Sequence, residues 1–141
     1  MLKGIPAILS PDLVKTLMEM GHGDEIVLAD GNFPSASHAK RLIRCDGHGI
    51  AELLTAILAL FPLDTYVDYP AACMAVVAGD PVEPVIWGEY EDIIHQQCQQ
   101  TFPLAYIERF DFYERAKNAY AIVATSEQAL YGNIILKKGV I

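Results

Sequence analysis

Short apolar runs separated by stretches of helical spacing are the feature that most restricts how this chain can fold. Three such runs, at residues 25–29, 71–77 and 120–125, are apolar almost throughout. Strands buried on both faces need such near-continuous apolar sequence, and sheets of this kind are mostly parallel with helices on each side. The 141 residues, 52% of them hydrophobic, are enough to bury one substantial core. We therefore expect a single α/β domain over residues 1–141, with three layers and a largely parallel central sheet.

Turn residues and apolar spacing set the elements expected along the chain. Ser10 and Pro11 are typical of a helix start, and Gly21 is typical of a helix end. Residues 30–35 are expected to form a loop, because Gly, Asn and Pro interrupt regular structure. The remaining patterns predict helices at 11–20, 50–61, 84–99 and 112–118, strands at 25–29, 42–45, 71–77, 104–110, 120–125 and 133–137, and an extended segment at 64–69.

The charge distribution argues against a nucleic-acid partner. The net charge is −8 and the ten Lys and Arg residues are scattered, so no basic strip is expected to contact phosphates. The apolar runs are shorter than the roughly 20 residues that a membrane-spanning helix needs. The first residues also lack the basic, apolar and small-residue order of a secretory signal. We expect a cytoplasmic protein that contacts neither nucleic acid nor membrane.

The motifs that the sequence lacks restrict its chemistry. The four histidines show no HxH or HExxH spacing and no cysteines have CxxC spacing, so we expect no metal. No Gly-rich fingerprint joins a strand to a helix, and no GxSxG sequence is present. The usual support for nucleotide cofactors, phosphoryl transfer and serine hydrolysis is therefore missing. We expect no cofactor, and acid–base work on a small polar ligand remains.

One histidine stands out by its setting. His22 lies between Gly21 and Gly23 at the entrance of the strand expected at 25–29, and Asp30 lies at its exit. Glycine lets a ligand or other backbone approach closely, and imidazole is the side chain best suited to proton transfer near neutral pH. A turn histidine is also commonly a surface or capping residue. This segment alone therefore leaves both interpretations open.

Three separated segments carry a resemblance to a known family. They are Met-Gly-His-Gly-Asp-Glu-Ile at 20–26, Phe-Tyr-Glu-Arg-Ala at 112–116 and Leu-Tyr-Gly-Asn-Ile-Ile-Leu-Lys-Lys-Gly at 130–139, with support from residues 32–34 and 63–67. Together they resemble the L-fucose mutarotases, a family related to the D-ribose pyranases. The resemblance spans almost the whole chain, although residues 79–101 match loosely and His48 departs from the pattern.

This resemblance implies an isomerase that interconverts the α and β anomers of a free monosaccharide, most simply L-fucose, without a cofactor. It implies that His22 is the proton donor. It also implies that substrate is bound by Asp30, Arg109, Tyr131, Gly132 and Asn133. Family members assemble with active sites near subunit contacts, which implies a homo-oligomer as large as a decameric ring.

The chemistry of mutarotation suits these side chains. The sugar ring opens when a proton leaves the anomeric hydroxyl and a proton reaches the ring oxygen, and both transfers are acid–base steps. His22 would be the main proton shuttle, and Asp30 would orient the imidazole or a sugar hydroxyl. Arg109, Tyr131 and Asn133 would supply hydrogen bonds to the sugar.

Other interpretations stay open at this point. Asp30 could be a turn former, Arg109 an ion-pair partner of Glu108 or Glu114, and Tyr131 a packed aromatic. Two rival functions also remain, a non-catalytic monosaccharide-binding or sensor protein with the same pocket and a ribose pyranase. The residues alone do not select among fucose, galactose and ribose.

Overall fold

The computed structural model describes all 141 residues and contains five helices and six strands. The helices are α1 (Pro11–Glu19), α2 (Ser35–His38), α3 (Ile50–Leu58), α4 (Ile86–Cys98) and α5 (Arg109–Asn118). The strands are β1 (Glu25–Ala29), β2 (Leu42–Cys45), β3 (Ala71–Met74), β4 (Leu104–Ile107), β5 (Ala121–Thr125) and β6 (Ile134–Lys137). None of the helices is both long and apolar enough to cross a bilayer.

The six strands form one sheet in the order β2-β5-β1-β6-β3-β4. Strand β6 runs antiparallel to both of its neighbours, β1 and β3, and the other three pairings are parallel. The expected largely parallel sheet is therefore confirmed. Since β6 alone is reversed, its amino end lies beside the carboxyl ends of β1 and β3.

Helices cover both faces of the sheet, as expected for three layers. Alternate residues of β1 point to opposite faces, with Ile26 and Leu28 in the larger apolar cluster and Val27 and Ala29 in the smaller one. Helices α1, α3 and α4 contribute to the larger cluster, and α5 contributes Phe112 to the smaller one. Strand β1 is buried on both sides, which explains its near-continuous apolar sequence.

Several element boundaries differ from the sequence prediction. Residues 65–68 form bends within the segment predicted to be extended, because the Asp64 carboxylate accepts a hydrogen bond from the Tyr66 N–H and turns the chain. Strand β3 ends at Met74 rather than at residue 77, since its neighbour β6 begins opposite Cys73. The predicted loop at 30–35 leads into α2, a single helical turn that the sequence patterns do not reveal.

Helix α5 begins three residues before its predicted start. The Glu108 side chain accepts hydrogen bonds from the backbone N–H groups of Phe110 and Asp111, at 2.8 and 3.2 Å. This cap starts the helix at Arg109 and ends β4 at Ile107. Arg109 therefore lies at the junction between a strand and a helix, at the carboxyl edge of the sheet.

Candidate active site

The carboxyl ends of β1, β3 and β4 surround a cavity of about 200 Å³. The turn before β6 closes its fourth side, because β6 is antiparallel to its neighbours. Four of the residues predicted to bind substrate line this pocket, namely Asp30, Arg109, Tyr131 and Asn133. Pockets for drug-sized ligands are roughly 300–1,000 Å³. This smaller cavity suits a smaller ligand.

Asp30 and Asn133 form a reciprocal pair at the floor of the pocket. The Asn133 Nδ2 donates to Asp30 Oδ2 at 2.8 Å, and Asn133 Oδ1 accepts from the Asp30 N–H at 2.7 Å. Both residues are buried. Burial raises the pKa of the Asp30 carboxyl above its ordinary value, and the hydrogen bonds from Asn32 and Asn133 partly offset that effect. Asp30 is therefore held firmly and lies closer to the pH range of proton transfer than a surface carboxyl.

Asp30 is also a turn former, which is one of the interpretations that its sequence context allows. Its Oδ1 accepts a hydrogen bond from the Asn32 N–H at 2.9 Å, which shapes the turn after β1. The turn and pocket roles use different oxygens, because Oδ2 faces Asn133. Asp30 therefore shapes the turn and also lines the pocket.

Tyr131 is held in an unusual backbone conformation. Its φ angle is +59°, in the left-handed region that non-glycine residues rarely adopt. Its hydroxyl donates to Asp80 Oδ2 at 2.6 Å and accepts from the Val77 N–H at 3.4 Å. The hydrogen bond to Asp80, together with partial burial, raises the pKa of the Tyr131 phenol. Tyr131 is therefore fixed by the loop after β3, and it is not simply packed.

Arg109 presents its guanidinium at the rim of the pocket. Its Nε donates to the Tyr113 hydroxyl at 3.1 Å, one turn further along α5. It makes no salt bridge with Glu108 or Glu114, because Glu108 caps the helix and Glu114 pairs with Lys117. The ion-pair interpretation is therefore wrong. Most of the donor groups of Arg109 stay available to a ligand.

Gly132 supports the pocket without lining it. A Cβ atom at this position would lie 2.9 Å from the Ala129 carbonyl oxygen, so only glycine fits the tight turn before β6. Its own carbonyl accepts a hydrogen bond from the buried Tyr90 hydroxyl at 2.7 Å. Gly132 therefore acts through the shape of the turn that carries Tyr131 and Asn133.

His22 lies at the opposite end of the sheet. It precedes β1, whereas Asp30 follows that strand, and five strand residues at about 3.3–3.4 Å each span roughly 17 Å. His22 Nε2 lies 3.2 Å from Asp64 Oδ1, and its ring lies against Tyr66 with centroids 5.5 Å apart. A single chain therefore does not bring His22 to the pocket that holds the other predicted residues.

Seven of the eleven residues that line the pocket were not among the predicted site residues, and Asp80, Phe33 and Tyr113 are three of these. Asp80 lies between Gly79 and Pro81, which are typical of a turn, and its contact with Tyr131 joins positions 51 residues apart. Phe33 and Tyr113 form an aromatic wall with ring centroids 5.5 Å apart. Both residues belong to segments that carry the family resemblance, Phe33 to residues 32–34 and Tyr113 to residues 112–116.

Comparison with known proteins covers almost the whole chain. A family model described as the RbsD / FucU transport protein family matches residues 3–141. The curated fucose mutarotase of Homo sapiens is 56% identical over 147 residues, which cover 99% of this chain and 94% of the human one. The L-fucose mutarotase of Haemophilus influenzae strain PittGG is 55% identical over 140 residues, with 99% and 97% covered.

Solved structures agree with this comparison. The crystal structure of the fucose mutarotase from Streptococcus pneumoniae in complex with L-fucose matches with a TM-score of 0.94 and 61% identity, over 99% of each chain. Bacillus subtilis RbsD complexed with D-ribose matches with a TM-score of 0.74 and 22% identity, over 100% of this chain and 99% of that one, which shows the shared fold alone.

Fold and pocket thus define a class of small α/β proteins, and the Streptococcus pneumoniae relative holds L-fucose. Within that class, the chain belongs to the RbsD/FucU family. The family resemblance expected from the sequence is confirmed.

Proposed function

We propose that this protein is a mutarotase that interconverts the α and β anomers of L-fucose. The observation that carries the proposal is the pocket at the carboxyl edge of the sheet, where a buried carboxylate, an amide, a phenol and a guanidinium converge on a small cavity. Full-length similarity to proteins named fucose mutarotase supports the choice of reaction and sugar.

The reaction needs only two proton transfers. A base removes the proton of the anomeric hydroxyl as the bond between C1 and the ring oxygen breaks, and an acid delivers a proton to that oxygen. The aldehyde then rotates, and the ring closes on the other face by the reverse steps. Each positioned acid–base group contributes about 10²- to 10⁴-fold. Hydrogen-bonding side chains therefore suffice, and no cofactor takes part.

We assign His22 as the proton shuttle and the pocket residues as the binding groups. Asp30 and Asn133 hold hydroxyls at the floor of the pocket, and Arg109 donates to hydroxyl oxygens at its rim. The Tyr131 hydroxyl donates its hydrogen bond to Asp80 and accepts one from the Val77 N–H, so its oxygen has one lone pair left to accept from a sugar hydroxyl. Gly132 fixes the turn that carries two of these residues.

The separation of His22 from the pocket leads us to propose a shared site. In this arrangement, the pocket of one chain receives His22 from a neighbouring copy. Exposed apolar side chains lie at both ends of the sheet, with Tyr66, Val67 and Tyr69 near His22 and Val77, Phe110 and Leu130 around the pocket. Such patches are typical of interaction sites.

Contact between these two different ends would be heterologous. Repeated heterologous contacts close into rings when the rotation permits. We therefore propose a ring-shaped homo-oligomer, with the decamer implied by the family resemblance as its largest form. The cytoplasmic location expected from the sequence stays a prediction.

NMR saturation transfer between the anomeric protons of L-fucose tests the proposed function. Wild-type protein should accelerate exchange over buffer, and His22→Ala should reduce that acceleration about 10²- to 10⁴-fold while L-fucose still binds. His48→Ala is the matched control, because the His48 side chain is similarly exposed and its only side-chain hydrogen bond is with Glu52, one helical turn further along. Binding without acceleration by the wild type would favour the non-catalytic sugar-binding alternative. Exchange between ring sizes of D-ribose would favour pyranase activity.

A further inference from the structure

Asp64 belongs to a sequence segment, residues 63–67, that the pocket does not use. Its carboxylate is almost fully buried, with 4% of the side chain exposed, yet it contacts the half-exposed His22. Buried carboxylates need partners to offset the loss of water. Asp64 Oδ1 has two, the Tyr66 N–H at 3.0 Å and His22 Nε2 at 3.2 Å.

The backbone around Asp64 is fixed from several sides. The Asp64 N–H donates to the Lys137 carbonyl at 3.1 Å, at the end of β6. Gly139 packs so closely that a Cβ atom there would lie 2.8 Å from the Asp64 Cα. The Gly139 N–H also donates to the Pro62 carbonyl at 2.8 Å. The backbone therefore holds Asp64 in a fixed position, from which its carboxylate can orient the half-exposed imidazole of His22.

The hydrogen bond between His22 and Asp64 has only one possible donor, which is the His22 ring. The Tyr66 N–H and His22 lower the pKa of the Asp64 carboxyl, so it is ionised near neutral pH. An ionised carboxylate only accepts hydrogen bonds. Nε2 of His22 must then carry the hydrogen. In the neutral ring this leaves the lone pair on Nδ1, which makes no hydrogen bond within the chain.

We propose that Asp64 is a positioning residue that holds His22 with its Nε2–H donated to the carboxylate, so that Nδ1 is the atom that exchanges protons with the sugar. In the forward step, Nδ1 accepts the proton of the anomeric hydroxyl, and the imidazolium then delivers it to the ring oxygen. The Asp64 charge faces the imidazolium throughout this step. Tyr66 limits ring rotation from the other side, at a centroid distance of 5.5 Å.

This inference rests on the proposed function, and a methylated histidine separates the two. Nδ1-methylhistidine introduced at position 22 blocks the proposed reactive atom. Its neutral ring carries no hydrogen on Nε2, so this ring donates to Asp64 only when it is protonated. We expect it to remove the acceleration of L-fucose exchange as completely as His22→Ala, with sugar binding unchanged. Full activity of the methylated protein beside an inactive His22→Ala would overturn the role of Nδ1. Full activity of both would instead overturn the assignment of His22 itself.

A second measurement tests Asp64 directly and does not depend on turnover. In ¹⁵N-labelled wild-type protein at about pH 9, where imidazoles are neutral, His22 should carry its hydrogen on Nε2 and show a downfield, slowly exchanging N–H proton. Asp64→Ala should lose that protected proton and lower the exchange rate tenfold or more, with sugar binding little changed. Asp64→Asn keeps an acceptor oxygen and should recover part of the rate. A wild-type ring protonated on Nδ1, or an Asp64→Ala protein with the wild-type rate, would contradict the proposal.

Discussion

The two ends of strand β1 are built differently. At the carboxyl end, Asp30 is buried and bonded reciprocally to Asn133. At the amino end, His22 is half-exposed and makes a single hydrogen bond, to Asp64. The first arrangement is rigid and complete within one chain, as binding requires. The second leaves one imidazole nitrogen unpartnered, as proton transfer requires.

This contrast supports the division of work that we propose, with binding at one end of the sheet and proton transfer at the other. Binding residues gain from burial, because their geometry is fixed before the ligand arrives. A proton shuttle must instead reach a substrate and exchange protons with it. We propose that assembly of identical chains unites the two ends, and variants at each end test this proposal.

The largest effect is expected from separating the two ends. Tyr69→Glu places a charge in the exposed apolar patch beside His22, where burial against another chain would desolvate it. We expect smaller assemblies by light scattering and a loss of exchange activity of about 10²-fold or more, with the chain still folded. Tyr69→Phe keeps the apolar area and should leave both unchanged. An active monomeric Tyr69→Glu protein would contradict the shared site.

The next effect concerns the floor of the pocket. Asn133→Ala removes a donor to the Asp30 carboxylate and the acceptor for its N–H, and both groups are buried. Unsatisfied buried polar groups cost about 1–3 kcal/mol each. We expect urea unfolding to show a loss of that order and calorimetry to show weaker L-fucose binding. Asn118→Ala, which removes only an exposed bond to the Glu114 carbonyl, should change neither. Equal behaviour of the two variants would argue against the binding role of Asn133.

A smaller effect should appear in the pH dependence of stability. The pKa of Asp30 is raised in the folded chain, so folding favours its protonated form. The stability that Asp30 contributes is therefore fully present below the ordinary Asp pKa of 3.8 and decreases as the pH rises through the folded value. The unfolding free energy of wild type minus that of Asp30→Ala should accordingly fall between pH 3.8 and neutrality. Urea unfolding at several pH values measures this difference, and an increase over the same window would contradict the assigned cause.

The smallest effect is expected at the support of Tyr131. Asp80→Asn removes the charge that raises the pKa of the Tyr131 phenol, so that pKa should fall towards its ordinary value of 10. Because a neutral amide oxygen accepts a weaker hydrogen bond than a carboxylate, the Tyr131 side chain is held less firmly, and we expect L-fucose binding to weaken severalfold, less than the tenfold that about 1.4 kcal/mol represents. Tyrosine ¹³C NMR, assigned with Tyr131→Phe, follows the titration. An unchanged phenol pKa would show that Asp80 does not control this group.

The sequence predicts parts of this arrangement well. The apolar run from Ile26 to Ala29 identifies β1, and the turns that flank it place His22 and Asp30 at opposite ends. Four of the five residues that the family resemblance assigns to binding line one pocket. Local pattern suffices for β1, because an apolar run reports burial directly, whereas the binding residues are implied by the family resemblance alone.

Other parts depend on contacts between distant residues. The pairing of Asp30 with Asn133 exists because β6 runs antiparallel to β1, and no local pattern sets that direction. One signal was available, since only eight residues, 126–133, join β5 to β6, and a parallel crossover usually needs a dozen or more. The contact of Asp80 with Tyr131 offers no such signal, because it joins two loops 51 residues apart.

Mixing two inactive variants tests whether binding and proton transfer come from different chains. His22→Ala keeps an intact pocket and Arg109→Ala keeps an intact His22. The two would be co-expressed with different tags and purified through both. In such rings, half of the pockets and half of the histidines are intact. If each site takes its pocket from one chain and its histidine from the next, both parts of a site are intact in about one case in four. Random mixed rings should then recover about a quarter of the wild-type rate of L-fucose exchange. Mixed assemblies that stay as inactive as either parent would contradict the account.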